Sequence, residues 1–114
     1  AFALTDNVAL MTAIANDEGY DNIFIHQLKI HYREGDLLIV ISASGNSQNL
    51  INAVEWAKNQ NGKVIGLVGF EGGKLEKMCD IVIHPKTPKG EYGPVEDIHM
   101  ILDHLITAWL YHIA

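Results

Sequence analysis

Three serines, one glycine and one asparagine fall within the six residues Ser42-Ala43-Ser44-Gly45-Asn46-Ser47. An unbroken apolar run, Leu37-Leu38-Ile39-Val40-Ile41, leads into them, and a segment with helical periodicity leaves them. Strand, hydroxyl-rich loop and helix together make an anion cradle. Backbone N–H groups and the positive end of a helix converge on one point, with hydroxyls around it. Ser, Gly and Asn are small enough for a phosphate to approach the backbone. The chemistry indicated is binding of a phosphorylated small molecule. The competing reading is a plain strand-to-helix turn, but such a turn needs only one capping residue. No Lys-Ser/Thr follows the glycine, so the loop is not a Walker A motif, and Gly-x-Gly-x-x-Gly is absent. No glycine stands two residues before Ser44, so Ser44 is not placed as a nucleophile elbow.

A second group lies near the C-terminus: Glu96, Asp97, His99, Asp103, His104 and His112. On a helix, Glu96, His99, Asp103 and His104 share one broad face. Carboxylates and imidazoles on a segment otherwise rich in Ile, Leu and Met suit a general base or a metal ligand. A solvated polar helix face is the alternative. Glu96 and His104 are separated by roughly 12 Å of helical rise, so they meet at one ligand only if their side chains lean together. Asn16-Asp17 precedes a glycine and reads either as a turn or as a contact to sugar hydroxyls. His26, His31 and His84 stand isolated and receive no role. Trp56 and Trp109 read as packing residues.

The elements that must position these groups alternate. Phe2 to Leu4 reads as a short strand, and Asn7 to Ala15 as a helix. Ile23 to His31 suits a second helix, closed off by Gly35. Leu37 to Ile41 has the continuous apolar pattern of a strand buried on both faces. Ser47 or Asn46 caps the next helix, whose inner face is Leu50, Ile51, Val54 and Ala57 and which Gly62 ends. Val64 to Val68 is another strand. Glu71-Gly72-Gly73 turns into a short helix, Lys74 to Met78, and Asp80 to His84 is the last strand. Lys86 to Pro94 reads as an irregular loop, and Val95 to Ile113 as a long terminal helix. Alternating strands and helices predict an α/β fold, a three-layer sandwich with a parallel sheet flanked by helices. Ligands of such sheets sit at the carboxyl ends of strands, where the serine loop lies.

The composition narrows the function classes. The chain has 114 residues and a net charge of −6, enough for one domain over residues 1–114 and no footprint for nucleic acid. One cysteine, Cys79, rules out an internal disulfide and fits a reducing compartment as a buried, inert thiol. No apolar run reaches the roughly 20 residues of a membrane span. A soluble, cytoplasmic protein without nucleic-acid or membrane partners is expected. The first residues, Ala1-Phe2-Ala3-Leu4, begin almost inside an element and suggest a piece of a longer protein.

Four segments, taken together, resemble the sugar isomerase (SIS) domain family and, within it, the phosphoheptose isomerases. They are Ala15 to Phe24, Gly35 to Ser47, Gly69 to Lys74, and Glu96-Asp97-Ile98-His99 through His104. The resemblance implies a flavodoxin-like fold and conversion of sedoheptulose 7-phosphate to D-glycero-D-manno-heptose 7-phosphate through an enediol. It implies phosphate binding by Ser42, Ser44 and Ser47 with the Ala43 backbone, sugar contacts from Asn16 and Asp17, and an acid/base role for His104. Glu96 stands where the family usually has Gln, a substrate contact. Some members hold zinc, for which Glu96 and His104 would be ligands, and the family is typically a homotetramer. Ala43 replaces a common Thr and removes one hydroxyl from the cradle. The family's upstream segment, with its first helices and first strand, a Gly-Gly-Ser loop, a His and the catalytic Glu, is absent from this sequence. The chain is therefore expected to be N-terminally incomplete and, alone, incomplete as a catalyst. The alternative function is a non-catalytic SIS module, a sugar-phosphate sensor or interaction domain. A third is an isomerase for another phosphosugar, such as arabinose 5-phosphate or a hexosamine phosphate.

Overall fold

The computed structural model describes residues 1–113. Helix α1 spans Val8–Asp17, and Asn7 caps it by accepting the Leu10 N–H at 2.9 Å. A single 3-10 turn, Tyr20–Asn22, leads into α2, Ile23–His31. Strand β1, Leu37–Ser42, is followed by α3, Gln48–Asn59, and β2, Lys63–Val68. A short helix, α4 (Leu75–Met78), precedes β3 (Ile81–Ile83), and α5 runs over Tyr92–Ile113.

The strands form a parallel sheet in the order β1-β2-β3, in register Leu37 with Lys63 and Ile65 with Ile81. Val40, Val64 and Val68 meet Ile51, Val54 and Ala57 of α3, with Leu75 of α4 closing the cluster. Val54, Val64, Val68 and Leu75 are fully buried, and each such side chain contributes about 1.5–3 kcal/mol. Helix α2 packs on α3, and α1 on α2. The parallel α/β sheet flanked by helices is the architecture the alternating pattern predicts.

Four details differ from the sequence reading. Phe2 to Leu4 is not a strand. No strand lies beside it to complete a ladder, and the Leu4 carbonyl instead accepts from Gln27 Nε2 at 2.9 Å. β1 is buried on one face only: Leu37, Ile39 and Ile41 are exposed, because β1 is an edge strand and no helix covers that side. An open groove of about 740 Å³ runs along this edge, between residues 1–5 and β1. Asn61, at φ +59°, takes the left-handed position after α3 that Gly62 was expected to fill. Helix α5 starts at Tyr92, so Gly93 and Pro94 lie in its first turn. A proline is tolerated there because the first helical N–H groups have no intrahelical acceptor.

Candidate functional site

The serine loop follows the carboxyl end of β1 and caps α3. Ser42 is buried, and its Oγ accepts the Gly45 N–H at 3.1 Å. Ser44 Oγ accepts the Asn46 N–H at 3.2 Å. Ser42 Oγ lies 3.4 Å from Ser47 Oγ. Ser42 and Ser44 thus accept from the loop backbone, one proton of the Ser42–Ser47 pair lies between those two hydroxyls, and the Ser44 proton is left to donate elsewhere. Ser47 is the N-cap residue of α3, and its carbonyl takes the Leu50 and Ile51 N–H groups at 3.1 and 3.0 Å. The N–H groups of Ser47, Gln48 and Asn49 have no acceptor among the described residues. No acidic residue occupies the first turn of α3. Free N–H donors, a helix dipole and small hydroxyl side chains are the features that suit an oxyanion.

A second loop holds this one in shape. Gly45, at φ +64°, lies so close to Gly72 that a Cβ there would stand 1.9 Å from the Gly72 carbonyl oxygen. A Cβ on Gly73 would stand 2.5 Å from the Ser44 carbonyl oxygen. Leu75 N–H donates to the Gly45 carbonyl at 3.0 Å, and Lys74 N–H to Asn46 Oδ1 at 3.1 Å. Gly69 N–H donates to the Ala43 carbonyl at 3.1 Å. The Gly72-Gly73 pair, readable in the sequence only as a turn, is the surface against which the cradle is moulded.

Helix α5 meets this region through its first turns. Val95 is buried against Gly69, and His99 is buried with its ring Nε2 3.0 Å from the Val68 carbonyl oxygen. His99 is thereby occupied as a tether between α5 and β2, which removes it from the acid/base candidates. Glu96 and His104 are exposed and make no hydrogen bond or ion pair among the described residues. No group of three His, Cys, Asp or Glu side chains converges as a metal site among those residues. Asn16 and Asp17 are exposed at the end of α1 and bond each other at 2.8 Å. The turn after them is tied to α3, with Asn52 Nδ2 donating to the Asp21 carbonyl at 3.2 Å. The structure thus brings Ser42, Ala43, Ser44 and Ser47 into one cradle, and it leaves Asn16, Asp17, Glu96 and His104 without a bond to it.

Among the residues given no role, His26 pairs with Glu18 at 3.0 Å, and His31 stacks on Phe2. His84 is not isolated: its ring lies against the Glu76 carboxylate and the Phe70 carbonyl. Trp56 packs edge-on to Tyr32, whereas Trp109 is 65% exposed and packs on nothing comparable. Cys79 is half-buried rather than buried as expected, and partial burial with the Asp80 carboxylate beside it pushes its thiol up. Hydrogen bonds from Lys58 Nζ and the Val64 N–H hold Asp80 down at about 2. Both pKa shifts belong to the far end of the sheet and bind α3, β2 and β3 together.

The SIS domain family model matches residues 1–69, and the chain belongs to the SIS domain family. Within that class it is similar to phosphoheptose isomerases. The enzyme of Rhodospirillum rubrum is 40% identical over 104 residues, 91% of this chain and 54% of that protein. The one from Aneurinibacillus thermoaerophilus is 41% identical over 108 residues, 95% of this chain and 54% of that protein. Among solved structures, the phosphoheptose isomerase of Neisseria gonorrhoeae superposes with a TM-score of 0.82 at 39% identity, covering 92% of this chain and 59% of that one. The chain spans about half the length of the curated relatives it matches. No helix among the described residues is long and apolar enough to cross a membrane.

Proposed function

We propose that this chain is the phosphate-binding part of a phosphosugar isomerase acting on sedoheptulose 7-phosphate. The observation that carries the reading is the cradle itself: free N–H groups at the start of α3 and serine hydroxyls at the carboxyl end of β1, in a chain similar to phosphoheptose isomerases. Ser42, Ser44, Ser47 and the Ala43 backbone hold the phosphate and leave the sugar to extend toward α5. Asn16 and Asp17 contact sugar hydroxyls. His104 moves the proton. Removal of a proton from C1 of the ketose, with protonation of the C2 carbonyl oxygen, gives the enediol. Delivery of a proton to C2, with loss of the O1 proton, gives the aldose. A single acid/base group is half of what this exchange uses, so the second comes from outside these residues.

Glu96 and His104 supply one carboxylate and one imidazole, two of the donor types zinc takes, whereas a catalytic zinc site uses three protein ligands. The described residues alone do not build that site, and no step is assigned to zinc. Self-association is supported by the apolar residues that α5 exposes, among them Met100, Ile101, Leu105 and Trp109. A homotetramer is the assembly proposed.

The test is an isomerase assay with sedoheptulose 7-phosphate on this chain and on the full polypeptide encoded by its reading frame. Turnover by the longer form alone supports the reading and places the second catalytic group outside residues 1–114. Phosphosugar binding with no turnover in either form favours the second reading, a sugar-phosphate sensor or interaction module. The bare surroundings of Glu96 and His104 are what keep that reading in play.

A further inference from the structure

His84 follows β3 and lies outside the serine loop, Asn16-Asp17 and the α5 group. Its side chain is 11% exposed, and both ring nitrogens face acceptors. Nδ1 lies 2.9 Å from Glu76 Oε1, and Nε2 lies 3.0 Å from the Phe70 carbonyl oxygen. A neutral imidazole has one N–H, so it would turn a lone pair toward either a carboxylate or a carbonyl. Only the imidazolium donates to both.

The two acceptors hold opposite ends of the loop that braces the cradle. Phe70 is strained at φ +48°, and its ring is buried and packs edge-on to Tyr92 at the start of α5. The Glu76 carboxylate lies against Gly72, where a Cβ would stand 2.5 Å from Oε2. The Gly72 carbonyl in turn lies against Gly45 in the serine loop. A continuous line of contacts therefore runs His84–Glu76–Gly72–Gly45.

We propose that His84, as an imidazolium bridging the Glu76 carboxylate and the Phe70 carbonyl, is a positioning residue that latches the Gly69–Lys74 loop against the serine cradle. The latch rests on the oxyanion reading of that cradle and adds a pH dependence to it. When the ring loses a proton, one of the two bonds becomes a repulsion, the loop loosens, and the cradle loses the surface that shapes Gly45. Among the described residues Glu76 is the only carboxylate within 4 Å of the ring. The other charged or titratable groups on the adjoining segments include Glu71 and Lys74 in the loop, Lys77 on α4, Cys79 and Asp80 before β3, Lys86 after it, and Tyr92, Glu96, Asp97 and His99 on α5. None makes a hydrogen bond or ion pair with His84.

The test is an NMR titration of this chain that follows the His84 ring nitrogens and the Gly45, Gly72 and Leu75 amides. Sulfate, which does not titrate in this range, is the anion probe. At pH 6 both ring nitrogens are expected to be protonated. On raising the pH, the three amides should move with the same midpoint as the ring, and sulfate affinity should fall about fivefold by pH 8.5. Glu76→Gln separates the latch from a merely structural contact. A glutamine donates to Nδ1 while Nε2–H keeps Phe70, so a neutral ring satisfies both bonds. In that variant the fold and sulfate binding should persist, and the shared transition should disappear from the pH 6–8.5 range. His84→Phe should weaken sulfate binding at pH 6 and also remove the transition. A singly protonated ring at pH 6, or amides that ignore the ring's titration, overturns the latch. Co-titration without any sulfate binding leaves the latch standing and removes the oxyanion reading.

Discussion

The serine cradle and the C-terminal helix hold the residues proposed for phosphate binding and for proton transfer, and they are built differently. The cradle is braced from every side: Ser42 is buried, Gly45 is pressed against Gly72, and Leu75 and Lys74 donate into the loop. Helix α5 buries Val95 and His99 and sets Tyr92 against Phe70, while Glu96, between these anchors, and His104, a turn beyond them, are exposed. The shape of the serine loop is fixed within these residues, whereas Glu96 and His104 make no bond among the described residues. A phosphate needs preorganised donors from one loop and one helix end. Proton transfer needs a second group whose position relative to His104 is fixed by further packing.

The largest effect should separate the two halves most cleanly. In a complete, active isomerase, His104→Ala should lower kcat about a thousandfold while leaving phosphosugar binding near its original value. Retained turnover would take His104 out of the chemistry. On the cradle side, Gly45→Ala forces a Cβ into the Gly72 carbonyl at a left-handed φ. It should cost about 3 kcal/mol of stability, read by urea unfolding, and should abolish anion binding. Unchanged binding would mean the two loops do not shape each other. A pair of leucines compares the two regions directly: Leu75→Ala should destabilise this chain by about 3 kcal/mol. Leu105→Ala, on the exposed side of α5, should change stability by about 0.5 kcal/mol or less and reduce self-association in ultracentrifugation. Ser47→Ala removes one donor and should weaken sulfate or phosphosugar binding about tenfold, with no effect on self-association.

The smallest effect concerns acid stability. Asp80 is held at about 2 by Lys58 and the Val64 N–H, below its unfolded value of about 3.9. Its stabilisation is therefore present above the unfolded value and is lost as the pH falls from about 4 toward 2. Asp80→Asn should lower the melting temperature at pH 7 and flatten its decline over that acid range. An unaltered acid profile would show that the carboxylate contributes nothing there.

The cradle was legible because its signal is local: residue type, small size and position between an apolar run and a helix all lie within a dozen residues. The α/β order was legible for the same reason, through periodicity. What escaped depends on what stands next to what. Leu37-Leu38-Ile39-Val40-Ile41 has the composition of a central strand, yet an edge strand with one uncovered face has the same composition. Phe2 to Leu4 has strand-like residues, but a strand requires a partner ladder, which composition cannot supply. His84 and His99 are single histidines in apolar surroundings. Only the folded chain reveals that one faces a carboxylate and a carbonyl, and that the other tethers α5 to β2. Asn16, Asp17, Glu96 and His104 were singled out by residue type and given specific roles by family resemblance, and the fold leaves them exposed with no bond to the cradle.

The register of the sheet has a kinetic consequence. Leu37 pairs with Lys63, and Ile65 with Ile81, so each strand finds its neighbour across one short crossover. Parallel pairs joined by such crossovers must meet their loop-closure entropy before the contacts repay it, so they form more slowly than local helical turns. The cradle and the Gly69–Lys74 loop that braces it both lie inside the β1–β3 stretch. The serine loop is thus expected to take its shape only as the β1–β3 sheet closes, after local helical turns have formed, and a phosphate bound there would favour the closed sheet.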